Sequence, residues 1–254
     1  MRRFFFEPAQ VSGDKLTLTG QDVRHIRTVL RLRPGNEVVL FDGQGSEYRA
    51  RIIDSTSRQV TLSILHKYAA ISESHVEITI GQALVKARKM DRVVRQLTEL
   101  GVFAFIPFVA ERSVPRPGPA RLADRERRWE TIAREALKQC GRSRAPDIGP
   151  VTPFQDLISA QEPYDSKIIF HARGSNMTAM SSFKSLEKVR KVLALIGPEG
   201  GFTDEEVNSA VHFGFVCISL GPRVLQADTA AIAASAILQH LFGDLGGVPG
   251  VSQP

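Results

Sequence analysis

The sequence predicts an α/β protein whose mainly parallel sheet follows a small β-barrel. Three observations predict it. Short β-like runs separated by turns fill residues 1–70. From Val76 onward, strand-like and helix-like runs alternate, the pattern of a parallel sheet. Two strand ends also pass through glycine–proline turns straight into helices, at LIGPEGGFTDEEV (195–207) and LGPRVLQADTAA (220–231).

In order, the barrel strands are expected at Lys15 to Leu18, Glu37 to Phe41, Tyr48 to Ile53 and Gln59 to Leu65. Turns at Arg33-Pro34-Gly35-Asn36 and Asp42-Gly43-Gln44-Gly45 separate them, and one helix near Gln21 to Arg31 interrupts them. The polar stretch Ala69 to His75 reads as a linker between units at 1–70 and 74–246. Beyond it come strand Val76 to Ala83, helix Lys89 to Leu100 and strand Phe103 to Pro107. A proline-rich loop (113–120) precedes a helix over 129–140, which places Trp129, Ile132, Ala133, Ala136 and Leu137 on one face. Strands Lys167 to Phe170 and Val192 to Ile196 follow, then a helix from Asp204, strand Phe215 to Leu220 and a helix from Thr229 to Phe242.

Composition excludes several classes. Two cysteines, Cys140 and Cys217, are too few for a disulfide framework and fit no metal-ligand spacing, so no metal is expected and a cytoplasmic setting fits. In MRRFFFEPAQ, Glu7 and Pro8 cut the apolar run short of a signal sequence. No stretch approaches the roughly 20 apolar residues of a membrane span. The net charge of +6 is unevenly placed. Residues 1–67 carry 11 Lys+Arg against 7 Asp+Glu, and residues 84–146 carry 15 against 7, while the remainder is acidic. A polyanionic partner suits this distribution, although a solvated basic surface would also produce it.

The glycine-rich turn at 197–201 invites comparison with phosphate cradles, but its helix mouth argues otherwise. Thr203 and Glu206 have the spacing of a capping box, flanked by Phe202 and Val207 in hydrophobic-staple positions. Together with Asp204 and Glu205, the box would satisfy the orphan N–H groups and the positive helix end internally. Neither G-x-G-x-x-G nor G-K-[ST] is present there, so a dinucleotide-dependent oxidoreductase is disfavoured. The glycines would then admit close backbone approach by something uncharged or cationic, and S-adenosylmethionine has that chemistry. Taken alone, the turn reads more readily as a tight turn with positive φ at Gly200 or Gly201. The second strand–turn–helix unit shifts the balance, because open α/β sheets bind ligands in the crevice beyond the carboxyl ends of their strands.

LIGPEGGFTDEEV followed by LGPRVLQADTAAIAASAILQHLFGDLG resembles the C-terminal signature of the RsmE family, ribosomal RNA small-subunit uridine N3-methyltransferases of the SPOUT superfamily. RRFF and HIRTVLRLRPGNEVVLFDGQG resemble that family's PUA-like amino-terminal barrel. ALVKARKMDRVVRQLTELGVFAFIPFVAERS and RWETIAREALKQCGRSRAPDI resemble the first half of its catalytic domain. The resemblance implies a SPOUT-type trefoil-knotted sheet, a homodimer, S-adenosyl-L-methionine bound in the knot, and methylation of a uridine in 16S ribosomal RNA. A non-catalytic RNA-binding protein, or a methyltransferase acting on a different base, are the alternatives. One departure stands out: the family commonly reads LRTET where this chain has Leu225-Gln226-Ala227-Asp228-Thr229. Asp228 is still expected to cap the last helix.

The resemblance carries a cofactor site onto Ile196, Gly197, Pro198, Glu199, Gly200, Gly201, Leu220, Gly221, Arg223, Val224 and Leu225. Arg112, Glu135, Gln139 and Arg142 are the candidates for the reaction centre, as polar residues flanking the apolar helix, with a solvated helix face an equal reading for any one of them. Arg3, His25, Arg27, Arg31 and Lys89 are the candidates for RNA contact. His171 and Arg173, just after a strand, read as ordinary loop residues more readily than as lining for the first turn.

Overall fold

The computed structural model describes residues 2–70, 73–114, 116, 118–176 and 189–246. The chain divides into two compact units, one of Met1–Glu73 with Arg134–Ala145, the other of Ser74–Ala133 with Pro146–Pro254. Of the expected linker, residues 71 and 72 lie outside the described residues.

The first unit holds β1 (Arg3–Phe5), β2 (Val11–Ser12), β3 (Lys15–Thr19), β4 (Glu37–Phe41), β5 (Ser46–Ser55) and β6 (Gln59–Ala69) in one sheet of order β1-β4-β5-β6-β3-β2. β1 runs parallel to β4, and the other pairs are antiparallel. Alternation puts Leu16, Leu18, Leu40, Ile52, Val60 and Leu62 into one core with Phe4 and Phe6. The helix expected over 21–31 is shorter and wider. α1 (Gln21–Arg24) continues as a π-turn over His25–Val29, and Arg31 ends it with φ of 53°. The wide turn keeps Val23 and Ile26 in the core and leaves Arg24, His25, Arg27, Arg31 and Arg33 exposed.

Segment 141–145 belongs to this unit through a dense polar network. Glu73 Oε2 accepts from Arg142 Nε at 3.0 Å and Nη2 at 2.8 Å, while Glu73 Oε1 accepts from the Ser143 and Arg144 amides at 2.8 and 2.9 Å. Arg3 Nη2 donates to the Arg142 carbonyl at 3.0 Å and to Ser143 Oγ at 2.8 Å, and its Nη1 pairs with Glu47. Burial pushes the Glu47 carboxyl up, but hydrogen bonds from Ser143 and Arg3 outweigh it and hold the group below the ordinary carboxylate range.

The second unit is α/β. Along the chain it contains β7 (Glu77–Ala83), α2 (Ala87–Glu99), β8 (Ala104–Val109), α3 (Pro119–Cys140), β9 (Asp147–Ile148), β10 (Thr152–Pro153), α4 (Phe154–Ser159), β11 (Ser166–Asn176), β12 (Lys191–Ile196), α5 (Asp204–His212), β13 (Val216–Ser219) and α6 (Ala227–Phe242). The last turns of α3, from Arg134, belong to the first unit. The sheet order is β10-β8-β7-β12-β11-β13, with β9 added beside β8, and every recorded pairing is parallel. Its central strands read as apolar runs because both faces are covered. Ile78, Ile80, Val192, Ala194 and Ile196 join a core with Trp129, Ala231 and Leu238. Ala83, Leu193 and Leu195 join the opposite core with Phe108, Phe154 and Phe202.

Two helix starts differ from expectation. α3 begins at Pro119, ten residues ahead of the apolar stripe; proline is tolerated in a first turn because the N–H groups there have no acceptor within the helix. The cap of α6 is Gln226, with no side-chain cap bond, rather than Asp228. Asp228 is the second residue of the helix, within its first turn, buried, with Oδ2 3.5 Å from Arg92 Nη1.

The Glu47 shift has a pH consequence. Its folded pKa is depressed, so its stabilising effect is complete above the unfolded value of about 4.3 and is lost as pH falls through the folded value. Glu47→Gln should lower the melting temperature at pH 7 and flatten its decline at acid pH. Melting curves from pH 7 to 3 check this, and an equally steep decline in the variant contradicts it.

Candidate active site

The functional crevice forms where β12 and β13, on either side of β11, both end. The chain passes from β12 to β13 beyond the intervening β11, a reversal of the kind that opens a cleft at the strand carboxyl ends. After β12, the turn from Gly197 is closed by the Gly201 amide on the Pro198 carbonyl at 2.9 Å, with Gly201 at φ of 69°. Gly200 leaves little room, since a Cβ there would stand 3.1 Å from Arg112 Cβ. Arg112 Nη1 donates to the Gly200 carbonyl at 3.1 Å and the Phe202 carbonyl at 3.5 Å, pinning the turn. After β13, Ser219 Oγ receives the Gly221 amide at 3.2 Å and donates to the Gly221 carbonyl at 3.1 Å.

The mouth of α5 is closed by its own side chains. The Glu206 amide donates to Thr203 Oγ1 at 3.1 Å and the Thr203 amide to Glu206 Oε2 at 2.9 Å, a complete capping box. Glu206 Oε1 also accepts from the Glu111 amide at 2.9 Å. Asp204, in the first turn, pairs with Arg173 at 3.3 Å. A phosphate would have to displace these groups and face three carboxylates.

Between the two turns lies a cavity of about 390 Å³, within the size range of small-molecule sites. All eleven residues expected at a cofactor line it, and so does Arg112. β11 supplies the rest. Its pairing with β13 jumps from Phe170 opposite Ile218 to Ser175 opposite Ile218, so residues 171–174 bulge out of register and bring His171, Ala172 and Arg173 into the lining. His171 and Arg173, which the sequence favours as ordinary loop residues over lining, are part of the lining. Gly174 permits the bulge, because a Cβ there would come within 2.5 Å of the Ile218 backbone.

The remaining expected residues lie elsewhere. Lys89, on α2, has Nζ 3.5 Å from Glu199, a lining residue. Glu135, Gln139 and Arg142 belong to the first unit. Glu135 and Gln139 are exposed, whereas Arg142 is only 4% exposed, with its guanidinium on Glu73. Arg3 is held in the same network. His25, Arg27 and Arg31 share the exposed π-turn and its end, the His25 ring meeting Phe4 edge-on at 5.9 Å. Among the described residues, no group of acidic, His and Cys side chains could hold a metal ion, and no helix is long and apolar enough to cross a membrane.

A curled basic β-unit and a parallel sheet with a phosphate-excluding crevice define the class: RNA methyltransferases with a PUA domain. The family model for the RNA methyltransferase domain matches residues 72–239, and that for the RNA methyltransferase PUA domain matches residues 18–65. The chain belongs to the ribosomal RNA small subunit methyltransferase E family. It is similar to the Bacillus subtilis member, with 29% identity over 94% of this chain and 96% of that protein. It also resembles the crystal structure of the Neisseria gonorrhoeae member bound to S-adenosylmethionine, at 31% identity and a TM-score of 0.84 over 96% and 99% of the chains. The Legionella pneumophila methyltransferase with bound S-adenosylmethionine matches at 31% identity and 0.83 over 96% and 98%.

The capping box and the Gly201 conformation make a stability prediction. Thr203→Ala should cost about 1 kcal/mol, and Gly201→Ala about 1–2 kcal/mol for the left-handed backbone. Each should lower the melting temperature by several degrees, and a midpoint within one degree of the parent in differential scanning calorimetry contradicts the assignment.

Proposed function

We propose that this chain methylates N3 of a uridine in 16S ribosomal RNA of the small subunit, using S-adenosyl-L-methionine. One observation carries the reading: two glycine–proline turns close a single cavity beside a helix mouth already filled by its own carboxylates. The lining suits this cofactor. Glu199 and Asp204 supply negative charge for an ammonium and a sulfonium, Arg112 and Arg223 supply positive charge for a carboxylate, and Leu220, Val224 and Leu225 supply apolar cover for an adenosine. When bound, the cofactor supplies an electrophilic methyl group. The protein's task is then orientation and electrostatics. Because N3 lies on the Watson–Crick edge, the base must be unpaired or flipped out.

In this reading, residues 1–70 form a PUA-like barrel that contacts RNA through His25, Arg27 and Arg31, and residues 74–246 form a SPOUT domain with a trefoil knot. Arg112 serves the reaction centre at the cavity rim. Glu135 and Gln139 face RNA, and Arg142 acts by holding segment 141–145. The protein works in the cytoplasm as a homodimer; the dimer is favoured by Val224, an apolar lining residue that is 89% exposed in the single chain.

Isothermal calorimetry should detect S-adenosylmethionine and give no heat with NAD. Gly200→Val should abolish that binding, because its side chain displaces Arg112. Small subunits from a strain lacking the gene should gain 3-methyluridine on incubation with the protein. Binding of NAD instead, or methylation at another atom, overturns the proposal.

The RNA assignment makes a separate prediction. Replacing Arg27 and Arg31 by Ala should leave cofactor affinity unchanged and reduce the salt slope of RNA binding by about 0.7 for each lost phosphate contact on a single strand. An unchanged slope in filter binding between 50 and 200 mM salt contradicts it.

A further inference from the structure

The bulged segment of β11 gives the cavity a histidine that the two turn motifs do not account for. The Arg173 amide donates to His171 Nδ1 at 3.3 Å, an arrangement that assigns Nδ1 as the acceptor and Nε2 as the N–H of the imidazole. The segment is held from Arg173 onward: Arg173 is paired with Asp204, and Gly174 packs on the Ile218 backbone.

The other polar side chains of the lining are mostly committed. Arg112 holds the Gly200 and Phe202 carbonyls, Glu199 faces Lys89, Asp204 faces Arg173, and Ser219 closes its own turn. Among the described residues, His171 Nε2 and the Arg223 guanidinium are the lining side-chain donors for which the structure shows no protein acceptor. A half-buried imidazole N–H on a short side chain suits a carbonyl oxygen that gains negative charge during reaction. Arg223 is exposed and carries a full charge on a long stem.

We propose that His171 is a catalytic residue that donates its Nε2–H to a uracil carbonyl oxygen, stabilising the anion formed when N3 loses its proton. The inference rests on the methyltransferase reading above. In the step, the N3 proton leaves to water and the N3 electron pair forms a bond to the methyl carbon. The carbon–sulfur bond breaks with its electrons passing to sulfur, leaving a neutral thioether. His171 takes no proton, because acting as a base would require Nε2 to be free and Nδ1 to carry the hydrogen that the Arg173 amide opposes.

The test uses the full chain and small subunits from a strain lacking the gene. In single-turnover reactions at saturating cofactor, His171→Leu should lower the methylation rate by about 100-fold, the loss expected for one such donor. His171→Gln, which keeps an N–H near the Nε2 position, should recover at least tenfold of that. Calorimetry should give both variants a cofactor Kd within twofold of the parent. Long-range ¹H–¹⁵N spectra of the unmutated protein should show the Nε2–H tautomer. A parental rate in His171→Leu, a Gln variant as slow as the Leu variant, or a cofactor Kd raised in step with the rate loss each overturns the proposal. An Nδ1–H tautomer overturns it while leaving the methyltransferase reading intact. Failure of the parent protein to methylate any subunit overturns both.

Discussion

The crevice depends on the closed N-terminus of α5. A helix start that offers free amides draws phosphate. Here the Thr203–Glu206 box uses the Thr203 and Glu206 amides, three carboxylates crowd the first turn, and the second Glu206 oxygen reaches across to the Glu111 amide after β8. That bond matters beyond the helix. It fixes the segment carrying Arg112, and Arg112 in turn holds the Gly200 and Phe202 carbonyls. One acidic side chain thus excludes phosphate and, through two further contacts, sets the shape of the turn that meets the ligand.

The sheet makes this arrangement possible. β12 and β13 are separated by β11, so their two exit turns face one another across the end of the middle strand. That strand must leave its register there, and the bulge at 171–174 both fills the gap and adds polar groups to the wall. A glycine packed on the Ile218 backbone is the condition for it. Strand bulges beside functional sites commonly aim side chains in this way.

What the sequence revealed follows the range of the forces involved. The capping box at Thr203 and Glu206 was legible because it is local, four residues with fixed spacing. Strands such as Val192 to Ile196 were legible because burial on both faces leaves an unbroken apolar run. Both turns could be placed at strand ends by the same logic. The β11 bulge was not legible, because its cause is a close approach to Ile218 some forty residues away. Arg142 follows the same rule. Its place beside the apolar helix made it a candidate for the reaction centre, whereas its burial could not be read, because its environment is set by Glu73, 69 residues earlier, which accepts from three consecutive residues of the 142–144 stretch. The wide turn at His25–Val29 also escaped, since a π-turn and an α-helix share an almost identical apolar spacing over five residues.

The most direct test of the closed helix mouth is backbone amide mapping by NMR during titration with S-adenosylmethionine and, separately, with inorganic phosphate. The amides of Gly197 to Gly201 and of Leu220 to Leu225 should shift with the cofactor, while those of Asp204 to Val207 stay in place with either ligand. Phosphate-induced shifts at Asp204 to Val207, with the two turns unmoved by the cofactor, would contradict the account.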